Sequence, residues 1–330
     1  MDTGAIPAEL LLVLICPIHK GGSKSSPKNY RPVALTSHLI KVFERVLRKA
    51  LVRHIDKNNI LPTGQRGSRA QRSTLTQLLS HWDTIEGLEQ GSGVDCFCLD
   101  FSKAFDKVET GVLLHKMKDA KILGKTGRWL ASFLDSGQRQ QAVAVEGVIS
   151  ALSPVISGVP QGTVLGPVLF LLHIADIAHN VSDGTTTNSY VDDTRVQRSI
   201  SDVDQDCRAL QEDLDTIYSW AERVNMTFNS DKFECVRYWP GGSIHDTQYL
   251  APDLTPIEQN EHLRDLGVVI SSNLKFNDHI GNVVTSASRM VGWAKFRTEK
   301  YCLHTMTVIP LNGSFSKEII EEHSRREFWI

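Results

Sequence analysis

Apolar residues recur at three- and four-residue spacing along several stretches of the chain, and this spacing predicts amphipathic helices. The first helix is marked by Leu35, Leu39, Phe43, Val46, Leu47 and Ala50. The second begins at Ser73 as its N-cap and is predicted to bury Leu75, Leu78, Leu79, Trp82 and Ile85. Further helices are predicted over 111–135, over a strongly apolar stretch at 164–178, and around Cys207, Leu210, Leu214 and Ile217.

Two short segments that end in acidic residues predict strands. Val94–Phe101 is apolar on both faces, with Asp100 on the same side as Val94, Cys96 and Cys98. Ser189–Val196 predicts a hairpin, because β-prone residues flank the adjacent acids Asp192 and Asp193 in its turn. Each prediction therefore places carboxylates at the end of a strand.

The remaining segments are predicted from composition. Residues 139–160 are predicted to be extended, and Phe233–Tyr238 to form a strand. Residues 19–32 contain two glycines and two prolines and predict a loop. Gly91-Ser92-Gly93 interrupts the second helix, and Pro240-Gly241-Gly242 marks the predicted domain boundary.

Composition narrows the class of protein. The chain has 330 residues, of which 41% are hydrophobic and 22% charged, and this is typical of one large or two smaller globular domains. Its six cysteines include no C-x-x-C pair, which argues against a zinc site and favours a reducing intracellular setting. Neither a secretory signal nor an apolar run of roughly 18 residues is present, so we expect a soluble protein.

The net charge of −2 conceals an asymmetry. Residues 1–81 carry 13 Lys and Arg against four acids, which gives 13 − 4 = +9 and leaves −11 for the remainder. For Lys41–Lys57 a solvated helix face explains the charge. The basic residues among Gly, Ser and Pro at 19–31 and 64–74 predict contact with a polyanion, because loop amides and cations together bind phosphates.

Asp100 and the pair Asp192-Asp193 are about ninety residues apart, but they would meet if their strands were neighbours in one sheet. Carboxylates held together repel one another unless protons or cations neutralise them. Hard oxygen ligands suit Mg²⁺, and two such ions roughly 3.5–4 Å apart would support an in-line phosphoryl transfer. The alternative for Asp192-Asp193 alone is an ordinary turn, in which Asp is common.

Five segments in order resemble the polymerase motifs of reverse transcriptases, and those of non-long-terminal-repeat (LINE-type) retrotransposons most closely. They are NYRPVALTS (29–37), LDFSKAFDKV (99–108), SGVPQGTVLGPVLF (157–170), YVDDT (190–194) and NSDKFE (229–234). HLRDLGV (262–268) resembles the primer-grip segment of that family. One departure is Glu109-Thr110, where the family often has Asp-His.

The resemblance implies an α+β protein with the right-hand polymerase fold. Its palm would be a ferredoxin-like sheet that carries the acids, joined to a basic fingers lobe and a partial thumb. The implied divisions are fingers at 1–93, palm at 94–240 with an insertion at about 111–156, and primer grip with partial thumb at 241–330. Residues 300–330 show no family likeness.

The resemblance also implies roles for the acids and their neighbours. Asp100 and Asp192 match the metal-binding aspartates, with the backbone carbonyl of Phe101 as an additional ligand. Asp193 matches the second acid of the pair, whose metal contact is looser. Phe105 matches the bulky residue beneath the incoming sugar, where a ring would exclude a 2′-hydroxyl; an ordinary core phenylalanine is the alternative.

Gly158, Pro160, Gln161 and Gly162 match the segment beside the incoming nucleotide and template. Glycines let a backbone approach a ligand closely, and a glutamine amide both donates and accepts hydrogen bonds. A tight turn before the following helix explains the same residues, and the two interpretations are compatible.

Three cations complete the implied site. Lys20 and Arg31 resemble the fingers residues that bind the triphosphate, and an arginine can make bidentate phosphate contacts. Lys232 resembles the lysine that protonates the departing pyrophosphate as a general acid. A surface lysine at the start of a strand is the alternative for Lys232.

The implied activity is RNA-directed DNA polymerisation, the addition of deoxynucleotides to a primer 3′ end. Its partners would be an RNA template, a DNA primer and deoxynucleoside triphosphates, with two Mg²⁺ ions, or Mn²⁺ in their place. A catalytically inactive retroelement remnant that only binds nucleic acid is the alternative. A nucleotide cyclase is a third candidate, although it leaves Gln161 and the basic first lobe unexplained. We expect the protein in the nucleus, the cytoplasm or both, and the oligomeric state stays open.

Overall fold

The computed structural model describes residues 4–69, 72–86, 92–239 and 245–306. The predicted boundary at Pro240-Gly241-Gly242, the helix break at Gly91 and residues 307–330 lie outside these ranges. The chain divides into two compact units, Met1–Lys275 and Phe276–Ile330. The division into fingers, palm and thumb stays a prediction.

Short runs of strands and of helices follow one another along the described chain. The strands are β1 (Leu12–His19), β2 (Tyr30–Leu35), β3 (Gly93–Leu99), β4 (Gln140–Val145), β5 (Val148–Ile149), β6 (Ser153–Pro154), β7 (Thr185–Tyr190), β8 (Asp193–Ile200), β9 (Glu234–Tyr238), β10 (His262–Asp265) and β11 (Val268–Ser271). The helices are α1 (His38–Lys57), α2 (Thr74–Glu86), α3 (Ala104–Lys107), α4 (Thr110–Asp119), α5 (Gly124–Leu134), α6 (Gly166–His173), α7 (Val203–Arg223) and α8 (Asn277–Met306). In these ranges no helix is long and apolar enough to cross a bilayer.

The central sheet has four antiparallel strands in the order β7-β8-β3-β9. Together with the helices between the strands, this order is the ferredoxin-like arrangement that the sequence analysis anticipated. Phe97, Leu99 and Val196 pack in the core with α6 and α7 on one face. Val94 and Cys96 pack on the other face with α2 and the β10–β11 hairpin. The sheet is therefore covered on both sides, as the all-apolar pattern of 94–101 predicts.

The predicted loop at 19–32 is partly wrong. Residues 20–26 have no regular structure, but Tyr30–Leu35 pairs with β1 in an antiparallel hairpin. In this sheet, ordered β2-β1-β4-β5, the β2 strand lies at the edge. An edge strand tolerates Pro32, because its missing N–H can face away from the ladder.

Two predicted helices are shorter than the periodicity suggested. The stretch 111–135 is divided into α4 and α5, because Lys121 adopts a left-handed backbone conformation (φ 58°). Glu109, the departure noted above, accepts hydrogen bonds from the N–H groups of Gly111 and Val112 and so caps α4. The helix predicted over 164–178 is α6, and successive turns follow His173.

Only part of the apolar stripe that marks α1 in the sequence is buried, and that part includes Leu47. Leu39 and Val46 are exposed, and the buried positions are Ile40, Glu44, Leu47, Leu51 and Ile55. In α2 the predicted cap is confirmed, since the Ser73 hydroxyl accepts a hydrogen bond from the Thr76 N–H (3.2 Å). Its buried face also differs, because Leu75 and Leu79 are exposed.

Candidate active site

Three acids converge at one end of the central sheet. Asp100 directly follows β3, and Asp193 is the first residue of β8, in the hairpin predicted from the sequence. The two strands are antiparallel neighbours, with Leu99 opposite Thr194. The end of β3 therefore lies beside the β7–β8 turn that carries Asp192, as the sequence analysis required.

Burial and the charges of neighbouring acids raise the pKa values of two of these residues. Burial raises the pKa of Asp192, and the charge of Asp100 raises it further, whereas Arg31 and Lys232 oppose the rise. Burial, followed by the charges of Asp192 and Asp100, also raises the pKa of Asp193. Like charges held together in this way are stabilised by cations, and carboxylate oxygens are ligands that Mg²⁺ prefers.

The acids line one corner without forming a tight ligand set. Among the described residues, the group whose ligand atoms all lie within 4.8 Å of one another is Asp95, Cys207 and His245, on the face of the sheet that packs against α7. Asp95 in that group lies 3.6 Å from the Arg237 guanidinium and accepts a hydrogen bond from the Tyr249 hydroxyl (2.6 Å). Asp95 is thus satisfied by neighbouring groups of the protein, and the assignment of the metal ions to Asp100, Asp192 and Asp193 stays a prediction.

Lys232 lies at the acidic corner, the end of the central sheet that carries Asp100, Asp192 and Asp193. Its Nζ atom is 2.7 Å from Oδ2 of Asp100, and its side chain is 61% exposed. The loop before it is fixed by a hydrogen bond from the Asn229 N–H to the Asp100 carbonyl (2.9 Å). The general-acid role of Lys232 stays a prediction.

The two phenylalanines of the first acidic motif pack differently. The Phe101 ring is buried and stacks on Phe228 at 4.4 Å. The Phe105 ring is half-buried and stacks on Phe170 of α6 at 4.6 Å. One face of Phe105 is thus fixed against the core, and its role as a sugar gate stays a prediction. The proposed ligand role of the Phe101 carbonyl stays a prediction.

The glycine-rich segment connects the acidic motif to the first sheet. Gly158 (φ 86°) donates its N–H to the Val108 carbonyl, and a Cβ there would lie 2.9 Å from the Asp106 backbone. Gly162 (φ 102°) approaches Ala34 of β2 equally closely. Both positions require glycine, because an L side chain would clash and would be strained at positive φ.

Gln161, between these glycines, is held on two sides. Its carbonyl accepts a hydrogen bond from the Ala34 N–H (2.7 Å), and its amide donates to Oδ1 of Asp106 (3.4 Å). Gln161, Pro160 and Asp106 line a cleft of about 390 Å³ together with residues of β1, β2 and β4. The segment is therefore a constrained turn that also borders an open space.

The predicted fingers cations lie near the acidic residues. Arg31, exposed on β2, is close enough for its charge to oppose the rise in the pKa of Asp192. Lys20, at the start of the β1–β2 turn, acts in the same way on Asp106, whose pKa is raised mainly by burial. The sequence-predicted residues thus lie around one region of the unit Met1–Lys275.

Sequence reasoning missed three buried charged groups that hold this region together. Glu44 of α1 is fully buried and accepts hydrogen bonds from the N–H groups of Val164 (2.6 Å) and Leu165 (2.8 Å). Arg139 donates to the Gly158 carbonyl (3.0 Å), and burial lowers the pKa of Arg139 to about 10.

The third group is Arg195, which pairs with Asp265. Two of the three groups carried a positional signal. Glu44 lies at helical spacing from Ile40 and Leu47, and Arg195 lies opposite the half-buried Cys98 in the β3–β8 ladder. No comparable sequence signal marks Arg139.

Known proteins that are similar to this chain belong to the family that its sequence motifs resemble. The family model described as "Reverse transcriptase (RNA-dependent DNA polymerase)" matches residues 18–270. The RNA-directed DNA polymerase from mobile element jockey of Drosophila melanogaster is 30% identical over 299 residues, which is 86% of this chain and 31% of that protein. The probable RNA-directed DNA polymerase from transposon X-element of the same species is 30% identical over 285 residues, 84% of this chain and 31% of that protein. The chain thus spans about a third of the length of these relatives.

Solved structures share the fold at low sequence identity. Apo telomerase from Candida tropicalis, truncated from its C-terminal domain, matches 83% of this chain and 55% of its own, with a TM-score of 0.56 and 10% identity. Telomerase from Candida albicans with a fragment of telomeric RNA matches 82% and 46%, with a TM-score of 0.52 and 12% identity. These matches confirm the predicted α+β right-hand polymerase fold. With the matched family model and the jockey-type relatives, they show that the chain belongs to the reverse transcriptase family, in its non-long-terminal-repeat (LINE-type) group.

Proposed function

We propose that the chain catalyses RNA-directed DNA synthesis, in which the 3′ hydroxyl of a primer attacks the α-phosphate of a deoxynucleoside triphosphate and pyrophosphate leaves. The observation that carries this proposal is the convergence of Asp100, Asp192 and Asp193 at one end of the sheet, with Lys232 in contact with Asp100. RNA is proposed as the template because the curated relatives are named as RNA-directed DNA polymerases.

In the proposed site, Asp100 and Asp192 would hold two Mg²⁺ ions, and Asp193 and the Phe101 carbonyl would assist. Bound there, the ions would supply Lewis-acid activation of the hydroxyl and charge neutralisation at the pyrophosphate. Lys232 would hold the proton that the leaving group takes up, since its ammonium already lies at the acidic corner.

Selection of the nucleotide is assigned to the surrounding residues. Phe105, fixed against Phe170, would exclude a 2′-hydroxyl by contact with its ring. Arg31 and Lys20 would bind the triphosphate from the β1–β2 hairpin. Gln161, with Pro160 and Gly162 beside it, would contact the incoming base pair from the constrained turn.

A primer-extension assay on an RNA template with Mg²⁺ tests the proposal. The wild-type chain is expected to extend the primer, whereas Asp192→Asn is expected to lose extension but keep binding the primer–template. Asp119→Asn is the matched control, because this exposed acid on α4 contacts only a surface histidine among the interactions described. An Asp192→Asn protein with wild-type extension would refute the assignment.

The same assay separates the two alternatives. Wild-type chain that binds the primer–template without extending it would favour an inactive nucleic-acid-binding remnant. A cyclic nucleotide produced from a nucleoside triphosphate without template would favour a cyclase. Extension of the primer by the wild-type chain alone would exclude a purely binding role.

A further inference from the structure

A buried ion pair connects the catalytic strand to the β10–β11 hairpin. Arg195 lies two residues after Asp193 in β8 and is 3% exposed, and its guanidinium pairs with the carboxylate of Asp265 at the end of β10. Arg195 also lies opposite Cys98, so its side chain is on the face of the sheet that carries Asp100. The Arg195 member of the pair therefore lies next to the acidic corner.

The hairpin reaches this position through other contacts as well. Leu263 and Ile270 pack in the apolar cluster on the second face of the sheet, together with Val94 and Val236. Those contacts hold the hairpin against the sheet but are not directional. The ion pair is directional, and it holds the hairpin at the end that lies nearest to the acids.

The same pair borders the cleft at the candidate active site. Asp100, Asp193, Lys232, Arg195 and Asp265 all line a space of about 470 Å³. Any chain that enters this space lies between the acids on one side and the β10–β11 turn on the other. A shift of the turn would therefore change the position of that chain relative to the acids.

We propose that Arg195 and Asp265 form a latch that fixes the β10–β11 turn relative to Asp193, and that both are positioning residues for the primer 3′ end. The proposal rests on the proposed polymerase function. Asp265 also balances the charge of the buried Arg195 guanidinium, two residues after Asp193. Removing one member of a buried ion pair leaves an uncompensated charge, whereas replacing both with apolar residues of similar volume is usually tolerated.

The test compares Asp265→Asn with the double variant Arg195→Met/Asp265→Leu. In the single variant, kcat for adding the first deoxynucleotide is expected to fall about tenfold or more, because small displacements of reacting groups reduce rates by up to about 10²-fold. The KM for the deoxynucleotide is expected to stay unchanged, since its proposed binding residues lie on other elements. Asp265→Asn is expected to lower the melting temperature. The double variant is expected to have the wild-type melting temperature again but to keep the reduced kcat. A double variant with wild-type kcat would show that the pair only stabilises the fold.

Hydrogen–deuterium exchange of the protein alone, without metal or nucleic acid, provides an independent readout. Amides of residues 262–271 are expected to lose protection in Asp265→Asn and to keep it in Glu261→Gln, an exposed acid just before β10. Unchanged protection in Asp265→Asn would refute the latch. If the wild-type chain extends no primer, the proposed function fails, but the exchange experiment still decides whether the latch exists.

Discussion

Glu44 offers a demanding test of how the fold supports the site. Its carboxylate is fully buried in α1, and a single oxygen accepts the N–H groups of Val164 and Leu165, which follow the Gln161 turn. Replacement by alanine removes both hydrogen bonds and leaves two backbone donors without this acceptor. Hydrogen bonds to a charged group contribute about 1.5–3 kcal/mol each, and the cost of burying the carboxylate offsets part of this. We expect Glu44→Ala to lower the free energy of unfolding by about 3 kcal/mol.

The assay is chemical denaturation followed by circular dichroism. Glu44→Gln is the conservative comparison, because its amide oxygen can accept the same two N–H groups, and we expect a loss of about 1 kcal/mol. Glu212→Ala, at an exposed position of α7, is the matched control and should change the free energy of unfolding by less than about 0.5 kcal/mol. A Glu44→Ala protein as stable as this control would refute the reasoning.

The pH dependence of the free energy of unfolding provides a second test of the role of Glu44. Burial raises the pKa of Glu44 above its ordinary value, although the Leu165 and Val164 N–H groups oppose the rise. The folded state therefore binds this proton more tightly than the unfolded state does. The contribution of Glu44 to stability is then greatest below the ordinary glutamate pKa and decreases as the pH rises through the raised value. Glu44→Gln should lack this decrease, so the difference from wild type should narrow as the pH rises.

Three further predictions concern the site itself. Phe105→Val should increase ribonucleotide incorporation relative to deoxynucleotide by about tenfold or more, measured as a ratio of kcat/KM values; an unchanged ratio would remove the gate assignment. Because burial and Asp100 raise the pKa of Asp192, stability without metal should fall as the pH rises through that value. Asp192→Asn should lack this fall in thermal unfolding with chelator, and an unaltered profile would contradict the repulsion argument. Gly158→Ala should lower the free energy of unfolding by about 1–2 kcal/mol or more, since φ is 86° and the new Cβ meets the Asp106 backbone; a neutral effect in denaturation would contradict the close approach.

The acidic corner was predictable because it depends on local rules. Strand alternation placed Asp100 at the end of an apolar run, and turn chemistry placed Asp192 and Asp193 between two β-prone segments. Their meeting required only that β3 and β8 be neighbours, which the ladder from Gly93–Ile200 to Leu99–Thr194 provides. The sequence motifs supplied the order of the elements.

The orientation of α1 could not be predicted in the same way. Apolar residues surround much of this helix, so two different faces satisfy the three- and four-residue spacing. The structure buries the face that contains Glu44, because the backbone of another segment offers two donors to its carboxylate. Periodicity counts an acid as an outward-facing residue and therefore rotates the predicted face away from it. Partners that lie far apart in sequence, such as Arg195 with Asp265, are invisible to such patterns for the same reason.

The pairing of Leu99 with Thr194 has a consequence for biosynthesis, since the two residues are 95 positions apart. At about 5–20 residues per second, a ribosome needs roughly 5–20 s between releasing one strand and its neighbour. During that interval β3, with Val94, Cys96 and Phe97 destined for the interior, has no ladder on its β8 side. The nascent segment 93–101 therefore exposes apolar side chains that a holding chaperone could shield. The three acids of the candidate site can meet only after β8 has paired with β3, so the site cannot assemble before residue 194 has been synthesised.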